Sequence, residues 1–538
     1  MTIYQRPVQS YHDKSHLNLA EAHLETVCNK SSIVRQTISK YGDTSISEYL
    51  RRCFQKVEIS YQPRNDLLDA VYHCAASLLG ATIAKQTCTE LEKWPIVLTA
   101  NHHGVDFFAQ SVQGSLLFAL GNAGCGFSKK TVLIFSFGNV SFNNLTYPRG
   151  MLIYKMHNNR IDDIPIRFPI FPDRFKRKTV SVAGSFDEAM ICRAKKSLET
   201  IASVQSLSPA IKNSIDRILD EDYSSHAAAK LQDYSRQAVI VNNRIWKRLF
   251  ADCTIAPELV YLEIEKIVAL LLESDLRNED SLISQIMFDR VLRNRVLEEL
   301  DGARACWNRR LLARRFHIGR YKKDCKHSPT NCGTVFFWGV DEKQRRIPLN
   351  FEGADGGTGK LYGVDDSGQT WQTRFSPESL LRGLQEGSLL PSLFTCFLAI
   401  SLARGVACAG GYYQSEYLPC MQRAVVNALR ESRDFENIAE IVEQVPTHNY
   451  LSGMQTVMCQ LENGCLVPAG PLEIIAGGGL TKSDIGQILS GTIKDAHLAS
   501  LIDTLPDFMP AVDHDMPGWK EHLSDEYKNV LAGKVIIK

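Results

Sequence analysis

The period of the apolar positions changes several times along the chain. Up to about residue 92 it is helical: Leu19, Ala20 and Leu24 recur at near-helical spacing, and "LLDAVYHCAASLLGATIA" is long and apolar enough for a core helix. From Trp94 the pattern becomes that of strands. "PIVLTA" and "KTVLIFSFGNVSF" flank the helix-like "FFAQSVQGSLLFALG", a spacing that predicts a βαβ unit whose strands, near Ile96 to Thr99 and Val132 to Phe135, run parallel. The proline-rich "NLTYPRGMLIYK" and "PIRFPIFPDRFKRKTVSV" then read as extended segments along the sheet edge, because proline is excluded from central strands.

Between about Ser185 and Arg315 the helical period dominates. "ELVYLEIEKIVALLLESDL" has an almost continuous apolar face, and the following segment runs on to "RRLLARR" with alternating charge. This predicts an antiparallel, coiled-coil-like helical insertion projecting from the body. "GTVFFWGVDEKQRRIPLNFEG" and "GKLYGVDDSGQTWQTRFS" have turn-like centres between strand formers and read as hairpins. Ser376, Pro377 and Glu378 mark a helix start, and "LLPSLFTCFLAISLA" reads as a buried core helix. The predicted fold is thus α/β: a Rossmann-like parallel sheet core carrying β-hairpins and a long helical insertion. Its predicted units are an N-terminal helical region over 1–92, the first part of the core over 93–184, the insertion over 185–320, the second part of the core over 321–449 and a C-terminal helical region over 450–538.

Composition adds little beyond excluding extremes. The chain has 538 residues, 44% hydrophobic and 22% charged, with a formal net charge of +1. That length exceeds one ordinary core, and the charge balance gives no argument for nucleic acid or an acidic membrane as partner. The start, "MTIYQRPVQSYHDKSH", has no apolar stretch of the secretory kind, and the longest apolar run is too short for a bilayer and contains Pro391, so a cytoplasmic protein is expected. The 15 cysteines lack the spacing of a disulfide scaffold and read as reduced. His317, Cys325, His327 and Cys332 are zinc-type ligands, but their spacing matches no standard finger, and a polar loop is the preferred reading over zinc.

Candidate chemistry concentrates in two places. The first is "TANHHGVDFF", where a buried-looking strand ends in Asn101, His102, His103, Gly104 and Asp106. At a βα turn, histidines beside the free amides of a helix N-terminus can contact phosphate or move protons; the bland alternative is that they cap the helix. The second is "AGGYYQSEYLP", where Gly410 and Gly411 permit close backbone approach and Gln414, Glu416 and Tyr417 supply orienting hydrogen bonds. Two further stretches carry less. "FEGADGGTGKL" fails the phosphate-loop pattern at Ala354 and Leu361; the eight basic residues between Arg304 and Lys323, interleaved with Trp307, Phe316, His317 and Tyr321, suit a phosphate-bearing ligand or RNA, but the preference for basic residues at a helix C-terminus is the favoured reading.

The order of these features resembles the bacillithiol-biosynthesis cysteine ligase family. "RFSPESLLRGLQEGSLLP" matches that family's LLRPxxQDxLLP-like segment through Leu380, Leu381, Arg382, Leu389, Leu390 and Pro391. "AGGYYQSEY" matches its GGPGEIAY-like segment through Gly411 and Tyr417, and "TANHHGV" matches its first turn through Thr99 and Gly104. Gly383, Glu386, Gly387 and Gln414 depart from the family pattern, and the likeness covers about a third of the chain. The resemblance implies a Rossmann-like core and a reaction joining cysteine or a similar amino acid to a small acceptor. The fold is also similar to that of the HxGH nucleotidyltransferases, of whose motif His102, His103 and Gly104 reproduce three positions, which makes ATP the cofactor to consider.

The expectation is a ligase-like enzyme forming an amide between an amino acid and a small acceptor. In it His102, His103 and Asp106 are catalytic, with the histidines binding phosphate or developing charge; Asn101, Gly104, Arg382, Gly410, Gly411, Gln414, Glu416 and Tyr417 bind substrate. His102 or His103, Arg382 and the segment from Gln414 to Tyr417 should then line one pocket at the carboxyl ends of the strands. The alternative is a non-catalytic nucleotide-binding or scaffold protein using the helical insertion for protein contacts. That insertion is also the expected surface for a homodimer.

Overall fold

The computed structural model describes residues 18–54, 59–124, 129–155, 164–204, 207–321, 332–354, 357–432, 435–509 and 518–538. Five strands build one wholly parallel sheet: β1 (Ile96–Leu98), β2 (Thr131–Ser136), β3 (Glu258–Glu263), β4 (Ala407–Gly411) and β5 (Tyr450–Ser452). Their order across the sheet is β5-β4-β1-β2-β3, so the chain first steps outward from β1 to β3 and then returns to the other side of β1. The expected parallel pairing of β1 and β2 is present, with Leu98 opposite Ile134.

Alternating side chains divide strands β1 to β4 between two cores. Ile96, Leu98, Ile134, Tyr261 and Ala409 enter one, packed with helices α1 (Ala109–Gly124) and α2 (Tyr234–Arg248) through Val112, Leu116, Ile245 and Trp246. Val97, Leu133, Phe135, Val260, Leu262 and Cys408 enter the other. There they meet Leu67 and Val71 of the helix Asn65–Leu79, Ile267 and Leu271 of the helix Ile264–Asp275, and Leu418, Met421 and Val425 of helix α3 (Gln414–Arg430). A sheet covered by helices on both faces has no polar side, which is why its strands read as continuous apolar runs.

That property accounts for the main departure from the sequence reading. The segment 185–320 is not a projecting pair of long helices. "ELVYLEIEKIVALLLESDL" is strand β3 over its first six residues and a helix only from Ile264, and β3 forms an edge of the main sheet. A strand buried on both faces and the apolar face of a helix look alike in sequence. The continuation breaks into Leu282–Phe288, Arg290–Glu299 and Arg309–Tyr321; Asp289 caps the second of these, accepting from the Leu292 amide at 2.7 Å.

The hairpins form as expected, Phe337–Val340 with Arg346–Pro348 and Gly357–Val364 with Thr370–Arg374. Ser376 caps the helix Pro377–Gln385, its side chain accepting from the Ser379 amide. By contrast, "LLPSLFTCFLAISLA" is only partly helical, since Leu389–Pro391 pairs with Phe337–Val340 as a strand. The segments after β2 do not run along the main sheet: Gly150–Ile153 and Ile166–Pro169 pair with each other. In the C-terminal region, β5 belongs to the core sheet and a separate three-stranded sheet follows.

Candidate functional site

Where strand order reverses, between β1 and β4, the connections from neighbouring carboxyl ends leave toward opposite faces and open a crevice. A cavity of about 820 Å³ lies there. Thr99, Ala100 and His102 from the turn after β1, Phe137 and Asn139 from the turn after β2, and Gly411 to Gln414 with Tyr417 from the turn after β4 line it. Helices α1 and α3 both start at this opening, so their free amides and positive dipole ends belong to its wall. At the amino ends of β1 and β2, by contrast, a depression between Thr87, Ile96 and Thr131 holds only about 10 Å³.

The two adjacent histidines have separate fates. His102 faces the cavity and is half-buried, with Nδ1 at 3.4 Å from the Thr146 hydroxyl. Burial pushes its pKa down to about 4, and the cation of Arg346 adds to this against a hydrogen bond with Asn144, so at neutral pH it is an uncharged imidazole. His103 points away and is fully buried. Its Nε2 lies 3.0 Å from the Ser235 carbonyl and its Nδ1 2.7 Å from the Ser136 hydroxyl. A carbonyl only accepts, so Nε2 carries the proton and Nδ1 accepts from Ser136. This ties β2 to α2 and places no functional group in the cavity. His103 is a structural residue, correcting the expectation of a catalytic one.

Asn101 and Asp106 are likewise behind the wall. The Asp106 carboxylate accepts from Ser111 Oγ at 2.6 Å and from the Phe108 amide at 3.0 Å, which fixes the start of α1, and from Asn101 Nδ2 at 3.2 Å. Asn101 Nδ2 also donates to Ser115 Oγ at 3.0 Å. Burial pushes the Asp106 pKa up to about 6 against these bonds. The rest of the turn is held the same way: Tyr234 accepts from the Val105 amide at 2.9 Å and donates to the Pro148 carbonyl at 2.5 Å, while Asn242 bonds the Asp106 amide at 2.9 Å and the Gly104 carbonyl at 2.8 Å. Gly104 has φ +132°, and a Cβ there would lie 2.7 Å from Pro148 Cβ. Its role is thus steric.

In the second motif, Gly411, Gln414 and Tyr417 line the cavity. Gly410 lies beneath: a Cβ on it would sit 2.3 Å from the Gln414 carboxamide carbon, so glycine lets Gln414 fold back. Gln414 Nε2 then donates to Thr99 Oγ1 at 2.7 Å, joining the two motifs directly, while its Oε1 has no hydrogen-bond partner among the described residues. Glu416 turns outward to Arg304 Nη1 at 3.0 Å. Arg304 also stacks on Tyr413, 3.6 Å from the ring centroid, which pins the loop Gly302 to Asn308 across the cavity opening.

Arg382 is not in the site. Its helix buries Leu380, Leu381 and Gly383, which leaves position 382 on the solvent side, and the leucine-rich motif around it packs the core. Gly383 is needed there because a Cβ would meet Leu389 at 2.7 Å.

Several lining residues escaped the sequence reading, among them Asn139, Trp338, Arg346 and Asp507. Arg346 sits at the start of a hairpin strand, where one more arginine after "DEKQR" gives no signal. Of the zinc-type cluster, Cys325 and His327 lie outside the described residues, as does the His317 side chain. Among the described residues no three His, Cys, Asp or Glu groups converge on a metal position. No described helix is long and apolar enough to cross a membrane. In comparisons with known proteins, no family model, curated protein or solved structure matches the chain.

Proposed function

We propose that this chain is an enzyme with a Rossmann-like core that binds small-molecule substrates in the cavity between β1 and β4 and joins an amino acid to a small acceptor through an amide. The observation that carries this reading is the meeting of two motifs some three hundred residues apart, through the Gln414 to Thr99 hydrogen bond, at the wall of one cavity. A volume of about 820 Å³ suits a substrate of nucleotide size or two smaller ones together.

In this reading the uncharged His102 donates a hydrogen bond to the oxygen on which charge develops as the amine attacks the acyl carbon. It does not serve as a cation for phosphate. Gln414, whose Oε1 is buried without a hydrogen-bond partner among the described residues, and Tyr417 line the cavity and would orient the amino acid. Cys306 also lines the cavity, but burial pushes its thiol up to about 12, so it is no nucleophile at neutral pH and a thioester route is disfavoured. ATP is the proposed activating substrate, because amide formation from a free carboxylate needs a leaving group. The alternative of a non-catalytic nucleotide-binding or scaffold protein is less favoured, because part of the segment expected to project for protein contacts supplies β3 of the core sheet.

A thermal-shift screen of the full chain with ATP, ADP and the common amino acids tests the proposal. At least one ligand is expected to stabilise by RT ln(1 + [L]/Kd), with the shift lost on Gln414→Ala. No shift with any of them counts against an enzyme of this class.

A further inference from the structure

Arg346 is the best-prepared charged group in the cavity that the reaction above does not use. It projects from the first position of the strand Arg346–Pro348, diagonal to Trp338 on the partner strand, and its guanidinium lies 4.5 Å from the centroid of the Trp338 ring. Its Nη1 donates to the Asn139 carbonyl. A stacked and tethered guanidinium has lost most of its rotational freedom before any ligand arrives. Both Arg346 and Trp338 line the cavity.

No carboxylate among the described residues forms an ion pair with it. The carboxyl that most influences it is that of Glu265, which is buried and already engaged, accepting from the Gly138 amide at 2.8 Å and the Asn139 amide at 3.0 Å. Burial and the neighbouring Glu263 push the Glu265 pKa up, so at neutral pH this carboxyl offers Arg346 less than a full negative charge. Arg346 is exposed at the first position of its strand, with its charge unpaired among the described residues. Its accessible surface lies at the cavity, which it lines. Donors that also line the cavity are the Thr146 hydroxyl, the neutral His102 and the amino ends of α1 and α3, while the one carboxylate among the lining residues, Asp507, already accepts from the Tyr412 hydroxyl.

We infer that Arg346 is the anchor of an oxyanion subsite, and that the ligand of this cavity carries a phosphoryl or carboxylate group that pairs with the free edge of its guanidinium. This rests on the reading of the cavity as the ligand site and adds the chemical class of one end of the ligand. The hairpin that carries Arg346 therefore belongs to the recognition apparatus as well as to the core.

Binding of pyrophosphate, inorganic phosphate and succinate to the full chain is measured by calorimetry at constant ionic strength. Four proteins are compared: wild type, Arg346→Gln, Arg346→Lys, and Ala100→Phe, which fills the cavity from its floor. Wild type is expected to bind at least one probe, and which one it binds separates a phosphoryl from a carboxylate ligand. Arg346→Gln is expected to weaken that binding about tenfold or more, the scale of one charge-assisted pair. Arg346→Lys keeps the charge but not the fork and should lose less. Unliganded Arg346→Gln should melt close to wild type, because an exposed side chain with one hydrogen bond contributes little to stability. Binding by wild type that both Arg346 variants retain in full, but that Ala100→Phe abolishes, overturns the role of Arg346 and leaves the cavity reading intact. Binding that survives Ala100→Phe overturns the cavity reading itself. No binding of any probe to wild type overturns the inference.

Discussion

Replacing each of the two neighbouring histidines with alanine should give opposite outcomes. His103 is fully buried, hydrogen-bonded on both ring nitrogens at 2.7 and 3.0 Å, and stacked on Tyr261 with ring centroids 5.8 Å apart. His103→Ala removes two buried hydrogen bonds at about 1 kcal/mol each and leaves an imidazole-sized void that adds a comparable amount. The expected loss is about 3 kcal/mol, a large fraction of the stability of an ordinary domain. His102 is half-buried, faces the cavity and has Thr146, at 3.4 Å, and Asn144 as side-chain partners, so His102→Ala should cost less than about 1 kcal/mol at pH 7.5. Urea unfolding followed by circular dichroism compares the two, and the ligand-induced thermal shift gives the complementary readout. His102→Ala should lose the shift while keeping its unliganded stability. Equal destabilisation by both substitutions, or a ligand response that depends on His103 through anything but stability, would refute the division of the pair into a cavity residue and a core residue.

Further outcomes follow from the same turn. Folding lowers the His102 pKa from 6.5 to about 4, so the unfolded chain binds the extra proton within that window. Its contribution is complete above pH 6.5 and is lost as pH falls toward 4. Urea unfolding of wild type relative to His102→Ala, repeated between pH 7.5 and 4.5, should shift in favour of the variant by up to ~2.5 kcal/mol; a difference independent of pH would exclude the lowered pKa of His102. Tyr234→Phe strips partners from the Val105 amide and the Pro148 carbonyl and should cost about 2–4 kcal/mol in the same assay. Gly104→Ala meets both a disfavoured φ of +132° and Pro148, and should destabilise by about 2–4 kcal/mol; a neutral effect would mean that the turn can relax.

How far the sequence revealed this arrangement can be seen at particular residues. The βα turn after β1 was legible because an apolar run ending in polar residues and glycine has few other meanings. The glycines and polar residues after β4 were legible for the same reason. Strand β3 was not, since burial on both faces erases the alternation that distinguishes a strand. His102 and His103 could not be told apart, because a turn sends neighbouring side chains in directions that only its dihedral angles decide. Arg382 drew attention through its place in a recognisable motif, yet the leucines around it are what the fold uses. Arg346 drew none, because its proposed role rests on the lack of a carboxylate ion-pair partner among the described residues and on the presence of Trp338, both properties of tertiary structure.

The most direct test is a crystal structure of the full chain grown with whichever small molecule stabilises it most in the thermal-shift screen. The account predicts ligand density at the carboxyl ends of β1 and β4, in contact with His102 and Gln414 and with an anionic group on Arg346. Ordered ligand elsewhere on the molecule, with only water in this cavity, would contradict it.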